Sequence, residues 1–228
     1  MTVYTYALTD IEGNGYHSIT IGTQTWMREN LKVTKYSNGD PIGTTIPAGK
    51  DISLETNPKY QWAYNGDEAN AAIYGRLYSW FTLIDSRNIC PTGWHVSTYP
   101  DWKIMTDWLI ANGYNYDGGT IYEFPNKLGK SLSDTTLWNL SNIPGSIGNN
   151  DYPEYRNKTD FSALPSGIRL KNGTFIYLGG SSILWETENP FSTEYALATV
   201  MNYDNGSIGI TNGYDKLDLA SSVRCVKY

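Results

Sequence analysis

The side chains able to do chemistry are few. Glu186 lies two positions from Glu188, and Asp101 six from Asp107. Carboxylate pairs of this kind hydrolyse glycosides only when they face each other across a cleft; otherwise they are ordinary solvated acids. The histidines are His17 and His95, and nothing in their spacing completes a metal-binding set. His17 reads as an exposed strand residue and His95 as a packed, hydrogen-bonded neighbour of Trp94. Two cysteines, Cys90 and Cys225, lie 135 positions apart, which excludes metal knuckles and CxxC redox motifs. They permit one long-range disulfide, worth roughly 5 kcal/mol in the chain-entropy picture, or two buried thiols. No G-x-S-x-G, G-x-x-x-x-G-K or H-E-x-x-H motif occurs. Oxygen-rich turns at Asn149-Asn150-Asp151 and from Asn202 to Asn205 could hold a structural Ca²⁺, although such residues also turn chains without one. The expectation is a protein with no cofactor and no enzymatic activity.

Recognition is the chemistry that remains. Between Trp185 and Leu219 the chain gathers Tyr195, Asn202, Tyr203, Asp204, Tyr214 and Asp215, and these six are the expected ligand-binding residues. Tyrosine offers a rigid ring at low entropic cost, and short polar side chains adapt their hydrogen bonds to the partner. A glycan or a protein epitope suits such a surface. The competing role of the Asn-Gly and Asp-Asn-Gly steps is to turn hairpins. The whole chain has 228 residues, 14% of them aromatic, with 19 Tyr and 8 Trp against 5 Phe. Its formal charge of −6 leaves no basic field for a phosphate backbone, so nucleic acid is an unsuitable partner. No apolar run approaches the roughly 18 residues of a membrane span, and mean hydropathy is −0.44. The first residues show no secretory leader, although a processed, exported chain would look the same.

These groups must be carried by local elements. Val3 to Leu8 and His17 to Ile21 alternate as strands around turn residues Asp10 to Gly15, predicting an N-terminal hairpin. Residues 37–58 are rich in Gly, Pro, Asn, Asp and Thr and predict an ordered covering loop. Leu77, Trp80, Phe81 and Ile84 fall at helical spacing and predict a helix from Tyr74 to Asp85 with that face inward. A second helix is predicted from Thr98, with Pro100 and Asp101 in its first turn, Trp102, Met105 and Leu109 inside with Trp108 a further candidate for that stripe, and Gly113 as a left-handed stop. Further on, Ile168 to Leu178 broken by Asn172-Gly173 reads as a hairpin. So does Tyr195 to Met201 with Ser207 to Ile210, and Val223 to Lys227 reads as a closing strand. The class is α+β, in one domain spanning 1–228.

Five segments in order resemble the Fibrobacter succinogenes major paralogous domain family. They are Ile21-Gly22-Thr23-Gln24-Thr25-Trp26-Met27-Arg28-Glu29-Asn30-Leu31, Tyr74-Gly75-Arg76-Leu77-Tyr78-Ser79-Trp80 and Cys90-Pro91-Thr92-Gly93-Trp94-His95-Val96. Phe161-Ser162-Ala163-Leu164-Pro165-Ser166-Gly167 and Ser222-Val223-Arg224-Cys225-Val226-Lys227 complete them, so the resemblance covers about residues 10 to 228. It implies a C-type-lectin-like fold, similar also to the sulfatase-modifying group: two helices, small antiparallel sheets and long binding loops. It further implies a disulfide between Cys90 and Cys225, an exported or surface-anchored and in some members lipid-anchored location, and an oxidising compartment. The enzymes of that fold need close thiols or clustered histidines, which this chain lacks. The calcium-dependent lectins are similar in fold but place Glu-Pro-Asn or Gln-Pro-Asp where this chain has Glu188-Asn189-Pro190, in the wrong order. Where family members often have Trp-Ser-Ser-Thr-Glu, this chain has Trp185-Glu186-Thr187-Glu188-Asn189, so only Trp185 carries over, as a core anchor.

The expectation is a non-catalytic, extracellular or surface-anchored module that binds glycan or protein through loops of its C-terminal half. Alternatives are a structural subunit of a surface fibre, which an uncovered apolar strand edge would favour, a receptor-type protein diversified by retroelements, and, ranked below these, a glycan-active enzyme, which would need a deep pocket with facing ionisable groups. Core positions are expected at Trp26, Trp80, Phe81, Trp94, Trp102, Leu164 and Trp185.

Overall fold

A computed structural model describes residues 8–228. The part of the predicted first strand before Leu8 lies outside the described residues. Leu8–Thr9 (β1) pairs with Gly15–Tyr16 (β2) across a turn that Asp10 organises. Its carboxylate accepts from the amides of Glu12 and Asn14 and from the Tyr16 hydroxyl. Ser18–Ile21 (β3) does not join that hairpin. It turns at Gly22, whose φ of +60° suits glycine, and pairs with Gln24–Met27 (β4). The predicted loop at 37–58 contains no regular helix or strand.

The predicted helix over 74–85 is corrected. Gln61–Trp62 (β5) precedes the helix Glu68–Tyr74 (α1), which stops at Gly75. At Gly75 φ is +78°, and a Cβ would meet Asn30 Cβ at 2.6 Å. Leu77–Ser79 (β6) then runs extended and buried on both faces, between β5 and a later strand, and Trp80–Leu83 (α2) is a single helical turn. Apolar residues at helical spacing were therefore shared between a strand buried on both sides and one turn, and Ile84 is exposed.

Trp94–Val96 (β7) leads into Tyr99–Ala111 (α3), where prediction and structure agree. Thr98 and Asp101 form the capping box, Trp102, Met105 and Leu109 are buried, and Gly113 has φ +72°, but Trp108 leaves the inner stripe: it is 37% exposed, its ring centroid 5.7 Å from that of Tyr114. Gly129–Leu132 (α4) is short, so there are four α-helices among the described residues where two were expected.

The remaining strands are Ser166–Leu170 (β8), Phe175–Leu178 (β9), Ser181–Glu186 (β10), Tyr195–Asn202 (β11), Ile208–Asp215 (β12), Leu219–Ser221 (β13) and Cys225–Lys227 (β14). Among the described residues they complete small antiparallel sheets ordered β3-β4-β14-β7, β5-β6-β13-β8-β9 and β10-β11-β12. The predicted hairpins are β8-β9 and β11-β12.

Aromatic residues join these sheets. Trp26, Trp102 and Phe161 pack with centroids 5.1 to 5.7 Å apart, linking β4 to α3. The Trp185 indole donates to the Tyr78 carbonyl at 2.9 Å, tying β10 to β6. Trp80 and Trp94 are buried, whereas Phe81 and Leu164 are only half-buried. Cys90 and Cys225 form a disulfide and are fully buried. Beside Cys225, the buried Arg224 guanidinium donates to Asn30 and to the carbonyls of Met27, Phe161 and Ser162.

Candidate functional site

A groove of about 450 Å³ opens on one face of the β10-β11-β12 sheet. Side chains alternate across a sheet, so Leu184, Met201 and Ile208 go to the core beneath α3. Ile183 and Val200 point the other way and form the groove floor. Val200 faces Gly209 on β12, which has no side chain and open space around it, so the floor stays uncovered there. Tyr177, Tyr203 and Tyr214 stand around this floor, with Asn139, Ser181, Asn202 and Asp204 supplying polar groups.

Each ring is set by its backbone. Tyr214 pairs with Ala196 and rests edge-on against Trp185, with centroids 6.0 Å apart. Burial, and to a lesser degree the nearby Tyr177, push its hydroxyl above the ordinary phenol range. Tyr203 is pinned on both sides: its amide donates to the Gly180 carbonyl at 2.9 Å and its carbonyl accepts from Gly148 at 2.7 Å. Tyr177 has φ +68°, in the left-handed region that costs a residue with a side chain, and the residue is 57% exposed. The Ser181 hydroxyl donates to Asn202 Oδ1 at 2.7 Å. That leaves the Asn202 NH₂ group, which has no partner among the described residues, as a pair of donors at the groove. Asp204 is exposed and likewise unpartnered among the described residues.

Four of the six expected residues, Asn202, Tyr203, Asp204 and Tyr214, thus share one groove. Tyr195 and Asp215 sit opposite each other at the far end of the β11-β12 hairpin, outside the groove lining. There Asp215 caps the following turn by accepting from the Leu217 amide. Asn205 also turns the chain, accepting from the Ser207 amide and hydroxyl. Sequence reading missed Tyr177, Asn139 and Ser181. Tyr177 was in sight as part of a predicted hairpin, but nothing in its neighbours announced a left-handed backbone.

The other candidate chemistries are dispersed. Glu186 is fully buried, its Oε1 accepting from Thr199 at 2.8 Å, while Glu188 is exposed. Asp101 caps α3 and holds His95 Nε2 at 2.9 Å, and Asp107 pairs with Lys103 at 2.6 Å. His17 is half-buried rather than exposed, with Nδ1 2.5 Å from Glu29. The oxygen-rich turn at Asn149 to Asp151 receives a cation from the protein itself. The buried Lys130 ammonium donates to the Asn149 carbonyl at 2.6 Å and lies 2.8 Å from Asp151. Among the described residues no group of three or more His, Cys, Asp or Glu side chains is placed to hold a metal ion. No helix among them is long and apolar enough to cross a membrane.

Among known proteins, a family model described as the Fibrobacter succinogenes major domain matches residues 19–227. Neither a curated protein nor a solved structure matches the chain.

Proposed function

The chain belongs to the Fibrobacter succinogenes major domain family, and from that premise and the groove we propose that it is a non-catalytic, C-type-lectin-like ligand-binding module. It is exported or held at the cell surface and takes a glycan or protein ligand. The observation that carries this reading is the arrangement of Tyr177, Tyr203 and Tyr214 around the apolar floor of Ile183 and Val200, with the Asn202 donors at the edge. A sugar ring has apolar faces for tyrosines and hydroxyls for amides, and both kinds of contact meet here. The groove lining contains one carboxylate, Asp204, whereas glycoside hydrolysis by acids uses two that face each other. The disulfide favours an oxidising compartment.

A glycan array with the purified chain, repeated in EDTA, tests this. Binding to neutral glycans that survives the chelator and is lost in Tyr203→Ala is the expected result. An array without hits removes the sugar ligand, and hits lost in EDTA would require a calcium ion that this reading does not include.

One observation favours the fibre-subunit alternative. β12 is an edge strand of eight residues carrying no charge before Asp215, and its Ile210 is 42% exposed. At Ile208 the Asn126 side chain occupies both outward backbone groups; beyond it, among the described residues, the outer edge of β12 up to Tyr214 has no backbone partner. Concentration-dependent association abolished by Ile210→Lys would support that alternative.

A further inference from the structure

A second cavity, of about 340 Å³, shares no lining residue with the tyrosine groove. Its wall is formed by Gln61, Trp62 and Arg76, its rim by Thr44 and Ile46, and its mouth by Glu68. Arg76 is almost fully buried and its guanidinium is held in a fixed attitude. Nε donates to the Lys32 carbonyl at 3.1 Å and one terminal nitrogen to Gln61 Oε1 at 2.8 Å. The other terminal nitrogen donates to Glu68. Glu68 itself is 71% exposed in its side chain, so the carboxylate that completes this arginine is tethered only from the solvent side. The buried guanidinium needs an anion on that side, and because Glu68 reaches it from solvent, a second carboxylate can take the same place.

The rest of the cavity is rich in donors. Because Gln61 Oε1 accepts from Arg76, its NH₂ group is left as two donors, with no partner among the described residues. Thr44 carries a hydroxyl also unpartnered among them. Thr45 is already used, accepting from the Trp62 indole at 2.8 Å and donating to the Ala48 carbonyl at 3.2 Å. A fixed guanidinium prefers a planar carboxylate. Flanking amide and hydroxyl donors prefer adjacent oxygens, and the volume is at the lower limit of small-molecule sites.

We propose that this cavity binds the carboxylate of a sugar acid, a hexuronate as a free monosaccharide or as the terminal residue of an acidic glycan, and that Glu68 occupies the carboxylate position until the ligand displaces it. Glu68 then sets the affinity: the ligand must compete with a carboxylate the protein supplies itself.

The test is a titration of the full chain with sodium glucuronate, glucuronamide, glucose and acetate, followed through the Trp62 indole N–H signal by NMR. Glucuronate should shift that signal and the two neutral sugars should not. Acetate should bind at least tenfold more weakly than glucuronate, because it lacks the hydroxyls. Glu68→Gln, shown to be folded by circular dichroism, should tighten glucuronate at least fivefold, and Arg76→Lys should weaken it at least tenfold. A terminally glucuronylated oligosaccharide that binds more tightly than the monosaccharide identifies the glycan as the source, and the reverse order identifies the free acid. Glucuronate affinity unchanged by Glu68→Gln, or glucose or acetate binding as well as glucuronate, would overturn the proposal. So would the absence of any glucuronate shift in both the native chain and Glu68→Gln.

Discussion

The hydroxyl of Ser181 donates to Oδ1 of Asn202 at 2.7 Å across the β10-β11 pair, and in doing so decides which end of the carboxamide meets the groove. The oxygen is consumed and the two N–H groups are offered. In the proposed binding role, a ligand acceptor such as a sugar hydroxyl oxygen would find donors already aimed, with little left to order on binding. Ser181→Ala frees the amide to turn over. Ligand affinity should fall by about 1 kcal/mol, roughly fivefold, with the melting temperature nearly unchanged, as calorimetric titration and thermal unfolding of the same samples would read.

Tyr177 pays for its place in the groove with a left-handed backbone, φ +68°. Asparagine tolerates that region far better than an aromatic residue does. Tyr177→Asn should leave the fold as stable as the native chain or more stable, by up to about 1 kcal/mol, while removing a ring from the binding face. Ligand affinity should drop by about tenfold. Denaturant unfolding alongside a binding titration separates the two effects; a variant both destabilised and unimpaired in binding would contradict the role given to the ring.

Much of the chain was legible because the deciding interactions are local. Thr98, Pro100 and Asp101 announce α3 within four residues, and Asn172-Gly173 announces a hairpin. The segment from Tyr74 to Ile84 misled because its identity depends on distant partners. Leu77–Ser79 is extended only because β5 and β13 flank it, and the helix before it ends because Gly75 closes against Asn30. The groove was legible in residue type and not in extent. Tyr203 and Tyr214 stand near each other in sequence, but Asn139 and Tyr177 arrive by chain closure. The pairing of Cys90 with Cys225 came from family resemblance, since two cysteines alone left the thiol state open.

Glu186 should give the protein a recognisable pH dependence. Burial pushes its carboxyl from 4.5 up to about 7, with the nearby Asp101 adding to the shift and the Thr199 hydrogen bond opposing it. Between those values the folded chain retains a proton that the unfolded chain has released. Stability therefore falls as pH rises from about 4.5 through about 7 and levels off above, a contribution of up to roughly 3 kcal/mol. Glu186→Gln, neutral throughout, should flatten that slope. Urea midpoints at pH 5 and pH 8 for both proteins check it, and equal slopes would contradict the assignment.

Arg224 has no carboxylate partner among the described residues; its fork is held by Asn30 and three carbonyls, and its guanidinium carbon lies 4.4 Å from the Phe161 ring centroid. Lysine keeps the charge but cannot reach these acceptors together. Arg224→Lys should destabilise the fold by about 3 kcal/mol, read as a lowered urea midpoint with an unchanged slope.

Reducing the Cys90–Cys225 bridge releases a loop closed over 135 positions. In the chain-entropy picture that costs roughly 5 kcal/mol, so the reduced protein should melt well below the oxidised one, and equal melting temperatures would contradict it.

The proposed binding role is tested most directly by comparing the native chain with Tyr177→Asn/Tyr203→Ala on one glycan array, with circular dichroism establishing that both are folded. Neutral glycans retained by the native chain and lost by the double variant are the predicted result. Identical binding by the two folded proteins would place recognition somewhere other than the tyrosine groove.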